Sequence, residues 1–140
     1  MESFIVFLGQ QWMLVGALLS CVLLLVFHDS KRSGAAVTPQ AAVNLINQQD
    51  AVVIDLRDAK EFKAGHIVDA LNIPYSSVDS RMGELESYKE KALILVCKMG
   101  QHSGAVGKKL ASKGFTGVRR MSGGMMEWQG QQLPLVKGSK

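Results

Sequence analysis

Residues 3–27 carry no charged side chain, a run of about 25 residues where a helix crossing a bilayer needs roughly 20. Its densest part, Trp12, Leu14, Val15, Leu18, Leu19, Val22, Leu23, Leu24, Leu25, Val26 and Phe27, shows no alternation of polar and apolar faces, unlike an amphipathic helix that packs on a soluble core. Gln10 and Gln11 interrupt the first third, which leaves room for a shorter span whose first turn lies at the membrane interface beside Trp12. A cleaved secretory signal would place positive charge before the run and small residues directly after it. Here Glu2 precedes it, and His28-Asp29-Ser30-Lys31-Arg32 intervene before Gly34-Ala35-Ala36. Residues 1–30 are therefore expected to form a transmembrane anchor, with residues 4–27 in the lipid. Lys31 and Arg32 outweigh the charge on the other side, so the positive-inside rule places the remainder of the chain in the cytoplasm. Cys21 is then a lipid-facing or helix-packing residue, with palmitoylation as an alternative. Gly16, Ala17 and Ser20 offer a small-residue face for helix pairing.

About 100 residues remain, enough for one domain. The net charge of +4 and pI near 9.2 do not point to nucleic acid. Lys60, Lys63, Lys89, Lys108, Arg119 and Lys137 are scattered and build no basic arm or helix, so the excess is a solvated surface or a face towards anionic lipid. Cys21 and Cys97 would have to bridge a lipid-embedded residue to a soluble domain, so no disulfide is expected.

Residues 31–37 read as a short linker, and 137–140 as a tail. Thr38-Pro39 is a helix-start signal, opening a helix to about Asn47. Ala51-Val52-Val53-Ile54-Asp55-Leu56 and Ala92-Leu93-Ile94-Leu95-Val96-Cys97 are short apolar, β-branched runs that read as strands buried on both faces. Residues 59–64 form one or two helical turns, 66–73 a strand ending at Pro74, and 77–88 a helix. A further helix over 103–113 stops at Gly114. Residues 116–121 read as the last strand before Gly123-Gly124, and 125–129 as a closing turn. The alternation predicts an α/β domain with a largely parallel sheet.

Cys97 stands at the carboxyl end of its strand, where open α/β sheets bind ligands. The loop Lys98-Met99-Gly100-Gln101-His102 comes next, and a helix opens near Ser103. Successive loop amides can curl there towards one point, the cysteine sulfur, and the helix N-terminus adds a partial positive charge to them. Such a cradle favours thiolate over thiol, as does nearby Lys98, and would stabilise a persulfide anion as well. The competing role for Cys97 is a small apolar residue that finishes a buried strand. His102 is either a proton donor or substrate contact, or a solvent-facing loop residue. His28, His66 and His102 are far apart and the chain has no CxxC, so neither a hydrolase triad nor a metal site is indicated. No metal and no cofactor are expected.

The segments Asp55-Leu56-Arg57, Glu61-Phe62-Lys63-Ala64-Gly65-His66-Ile67 and Ala70-Leu71-Asn72-Ile73-Pro74 resemble, in order and spacing, the first half of a rhodanese domain. Cys97-Lys98-Met99-Gly100 resembles that family's active-site loop, and Gly123-Gly124 with Trp128 and Leu133-Pro134 its C-terminal signature. With the anchor in front, the chain is similar to the bacterial membrane-anchored rhodaneses. The resemblance implies a rhodanese-like domain over residues 38–136, around a mostly parallel sheet of about five strands flanked by helices, and an inner-membrane location. It implies transfer of sulfane sulfur from thiosulfate or a protein persulfide, through a persulfide on Cys97, to cyanide or a thiol, with Lys98, Met99, Gly100, Gln101, His102 and Ser103 as the anion-binding loop. Related phosphatases use a longer loop ending in Arg, where this chain has Ser103. Many sulfurtransferases of the family carry an arginine in the second half of the loop, where this chain has Gln101-His102, and a neutral histidine lacks the bidentate charged contact of arginine. Turnover of thiosulfate is accordingly expected to be weak. As structural support, Asp55 and Arg57 are assigned to fixing the end of the first strand by a salt bridge or backbone bonds, with an approach of Asp55 to the site as the alternative. Glu61 and His66 are assigned to holding the following turn, with Phe62 and Trp128 as core anchors. The alternative function is a non-catalytic rhodanese-like binding module that contacts other membrane proteins.

Overall fold

A computed structural model describes the backbone of residues 1–139 and the side chains of 1–29 and 33–139. The side chains of Lys31 and Arg32, on which the expected orientation rests, and Lys140 of the tail lie outside the described residues. The chain divides into two units, Met1–Lys31 and Arg32–Lys140.

In the first unit the apolar run forms two helices, α1 (Glu2–Gln10) and α2 (Trp12–Arg32). The break falls at Gln11 (φ −111°, ψ 29°), at the polar pair that interrupts the run. The membrane-length segment therefore narrows to Trp12–Asp29, with a mean hydropathy of 2.0 and none of it buried. By length and composition this helix can cross a membrane, a property that a signal sequence near an N-terminus shares. The Ser20 hydroxyl donates to Gly16 O at 2.8 Å, satisfying itself within its own helix.

In the second unit five strands form one parallel sheet: β1 (Ala35–Val37), β2 (Val52–Asp55), β3 (Leu71–Asn72), β4 (Ala92–Val96) and β5 (Gly117–Met121), in the order β1-β5-β4-β2-β3. The two β-branched runs, β2 and β4, take the interior of the sheet because both of their faces can be buried. The period-2 geometry of β4 then divides the core. Leu93, Leu95 and Cys97 face one layer, with Ile54, Leu56, Val106, Leu110 and Phe115. Ile94 and Val96 face the other, with Val53, Phe62, Met121, Met125 and Trp128.

Helices α3 (Pro39–Gln49), α4 (Ala59–Ala64), α5 (Ser103–Ser112) and α6 (Gly124–Gly130) complete the domain. The Thr38 hydroxyl caps α3 by accepting Ala41 N–H at 3.2 Å, with Pro39 in the first turn.

Three expectations are corrected. The stretch 31–37 is not wholly a linker, since Ala35–Val37 pairs with Arg119, Arg120 and Met121 as an edge strand. The strand expected over 66–73 shrinks to Leu71–Asn72. His66 instead makes a two-way antiparallel bridge to Val136, and Asp69 turns with φ 61°. The helix expected over 77–88 is replaced by two 3₁₀ segments, Tyr75–Ser77 and Met82–Tyr88.

Candidate functional site

Because Cys97 directly follows β4, its side chain continues the face of Leu93 and Leu95, and the residue is 2% exposed. The chain then turns sharply. Gly100 takes φ 93°, a left-handed conformation that costs little only without a Cβ, and this turns its N–H back to the Cys97 Sγ at 2.9 Å. Ser103 Oγ donates to Gly100 O at 3.0 Å, tying the loop to the first residue of α5.

Gln101 also folds back. Its Oε1 accepts Met99 N–H at 3.0 Å and lies 3.6 Å from Sγ, within reach of the thiol proton. The outer side of the loop is held by α6, where Met125 N–H donates to Cys97 O at 2.8 Å and Met126 N–H to Lys98 O at 3.0 Å. This contact demands glycine at 124. A Cβ there would overlap Cys97 O and approach Lys98 O to 2.7 Å, and φ is 59°.

An open cavity of about 230 Å³ lies over the sulfur, lined among others by Arg57, Glu61, Tyr75, Cys97, Gln101 and His102. His102 stacks on Tyr75, ring centroids 4.3 Å apart at 21°. Lys98 is exposed on the cavity wall, and Met99 is exposed at 55%.

Asp55 and Arg57 form a buried pair at the end of β2. Arg57 Nη2 donates to Asp55 Oδ2 at 2.7 Å and Nε to Oδ1 at 3.0 Å, while Asp55 Oδ1 also accepts Arg57 N–H at 3.0 Å. Arg57 Nη2 reaches Gly65 O at 2.7 Å as well, so one guanidinium joins the end of β2 to the end of α4. Its charge is thus matched within the protein even though it lines the cavity. His66 lies elsewhere. It is fully buried, stacked on Phe62 at 3.7 Å, with Nδ1 2.8 Å from Phe62 O.

Of the expected site residues, Cys97, Lys98, Gln101, His102 and Arg57 therefore line one cavity, whereas Met99, Gly100, Ser103, Asp55 and His66 do not. Asp58, Tyr75 and Ser76 also line the cavity, although the sequence pattern did not single them out, and it placed Glu61 only in a turn. All four follow the carboxyl ends of β2 and β3, the same sheet edge on which Cys97 sits, and that is the signal by which they were findable. Among the described residues no group of three or more His, Cys, Asp or Glu is placed to hold a metal ion, and both cysteines are free.

Comparison with known proteins identifies the family and the fold. Residues 38–131 match the rhodanese-like domain family. The chain is 37% identical over 123 residues to the uncharacterized protein YibN of Escherichia coli strain K12, covering 87% of this chain and 86% of that one. It is 34% identical over 95 residues to the thiosulfate sulfurtransferase GlpE of Pseudomonas putida, covering 66% and 83%. Among solved structures, the polysulfide-sulfur transferase homodimer of Wolinella succinogenes superposes with a TM-score of 0.66 at 21% identity, covering 94% of each chain, a likeness of fold. The chain belongs to the rhodanese-like domain family.

Proposed function

We propose that this protein is a membrane-anchored sulfurtransferase or sulfur carrier that moves sulfane sulfur through a persulfide on Cys97. The observation that carries this reading is the cysteine sulfur at the focus of its loop, bonded by Gly100 N–H at 2.9 Å and opening into a cavity at the carboxyl edge of the sheet. The sulfurtransferase relative supports it at the level of the family.

In the proposed cycle the Cys97 thiolate attacks the outer sulfur of the donor. A new S–S bond forms, the donor's own S–S bond breaks, and sulfite or a donor thiolate leaves with the electron pair. The persulfide anion is held by loop N–H groups until cyanide or an acceptor thiolate takes the outer sulfur and restores the Cys97 thiolate. The apolar helix Trp12–Asp29 would hold this chemistry at a bacterial inner membrane, and Lys31 and Arg32 after it favour a cytoplasmic domain.

A second reading is a tethered binding module that contacts other membrane proteins. It is favoured by the Gln101 oxygen filling the loop and by Met99 and Met126, each 55% exposed, on the loop and on the helix that holds it.

The deciding experiment is mass analysis of the full chain in detergent after incubation with thiosulfate or with an organic persulfide. The peptide containing Cys97 gains the mass of one sulfur atom, and the Cys97→Ser chain gains none at that position. No adduct from either donor would sink the carrier reading and leave the binding module.

A further inference from the structure

The loop that should receive a sulfur already holds an oxygen. Gln101 Oε1 accepts Met99 N–H at 3.0 Å, which fixes the orientation of the carboxamide: an Nε2 turned to that N–H would set donor against donor. The atom facing Cys97 Sγ at 3.6 Å is therefore an oxygen lone pair. A thiol suits it, since S–H can donate there. A thiolate or the outer sulfur of a persulfide does not, because negative charge would meet a lone pair while one of the few loop donors is already taken.

The rest of the cavity does little to offset this for a small anion. Asp58 and Glu61 line it with carboxylates, and the Arg57 guanidinium is matched by Asp55. Among the described residues, Lys98 is the other Lys or Arg on its wall, beside His102, and it is exposed.

We propose that the Gln101 carboxamide is a gate on the sulfur seat, which lies against the Cys97 sulfur when turned in and must turn out for sulfur to load. The gate discriminates against small anionic donors. Such a donor gives up its own hydration, meets the Gln101 oxygen, and has to break the Met99 N–H bond before that amide is free. A larger donor, held by contacts outside the cavity, can offset that step with binding energy from elsewhere. Loading then proceeds with the gate out. The thiol proton passes to water, the thiolate bonds to the donor's outer sulfur, and the donor's S–S bond breaks with its electrons leaving on sulfite or a thiolate. This inference rests on the persulfide reading for its biological meaning, but the gate itself is tested without it.

The test uses the full chain in detergent with Cys21→Ser, so that Cys97 alone reports, as such and with Gln101→Ala or Gln101→Glu. Two alkylating probes of similar size, neutral iodoacetamide and anionic iodoacetate, are compared, and sulfur gain from thiosulfate is followed by mass. Gln101→Ala is expected to speed iodoacetate and thiosulfate about threefold to tenfold, the value of one hydrogen bond, with a smaller gain for iodoacetamide. Gln101→Glu, which puts a charge where the oxygen was, is expected to slow iodoacetate below the parent rate. Unfolding would expose the thiol and speed both probes in either variant, so the slowing of iodoacetate in Gln101→Glu separates a gate from damage. Equal rates for the parent and Gln101→Ala, or a slower Gln101→Ala, would overturn the gate, even if the parent loads sulfur. If the probe ratio rises but no chain gains sulfur, the gate stands and the persulfide reading falls.

Discussion

Arg57 is a guanidinium with only 6% of its side chain exposed, and the carboxylate that matches it is fully buried. Taking both ions out of water is costly, and geometry repays it only while both remain. Asp55→Ala would leave a buried cation beside the cavity, so it is expected to destabilise the domain by about 3–5 kcal/mol, read from the denaturant midpoint in the detergent-solubilised chain. A loss under about 1 kcal/mol would mean that Arg57 escapes to solvent. This pairing was legible in the sequence because two residues of opposite charge at the end of an apolar strand have few ways to be buried other than together. The fold-back of Gln101 was not. It depends on which rotamer finds the Met99 N–H, and that is set by a loop path that only Gly100, Ser103 and α6 define together.

Among the elements, α6 controls the site without contributing a reactive group. Its first residues hold Cys97 O and Lys98 O, and they come that close because residue 124 has no side chain. Gly124→Ala is expected to cost about 2 kcal/mol or more, roughly 10 °C in the melting temperature of a domain of this size, and to lower sulfur gain at Cys97. Gly130→Ala, in the same helix with nothing near its Cβ, is expected to be neutral or slightly stabilising. Equal behaviour of the two variants would show that α6 does not position the loop.

Element by element, β2, β4 and α5 were legible because their apolar periodicity is strong and local. β1 was not, since Ala35-Ala36-Val37 becomes a strand only by pairing with β5 far along the chain. The 66–73 stretch misled because His66 spends its backbone bonds on Val136 rather than on β2. Tyr75 and Ser76 entered the cavity unannounced for a related reason: their segment is a 3₁₀ turn at the sheet edge, not the start of a helix.

For the whole molecule, an apolar helix with no buried residue leaves every apolar side chain of that unit to its surroundings. If the proposed anchoring holds, the chain expressed in a bacterium stays in the membrane fraction through alkaline carbonate washing. In spheroplasts the domain also resists added protease until the membrane is opened. Release by the wash would remove the anchor, and digestion in intact spheroplasts would reverse the proposed orientation. The sheet order adds a constraint in time. Ala35 pairs with Arg119, about 84 residues later. At synthesis rates of roughly 5–20 residues per second, the edge strand beside the emerging helix waits on the order of 4–17 s for its partner to leave the ribosome. On the proposed anchoring, such a chain would meet the membrane with its first strand unpaired, so insertion of the helix would precede completion of the sheet, and the Cys97 loop would take shape only on a protein already in place.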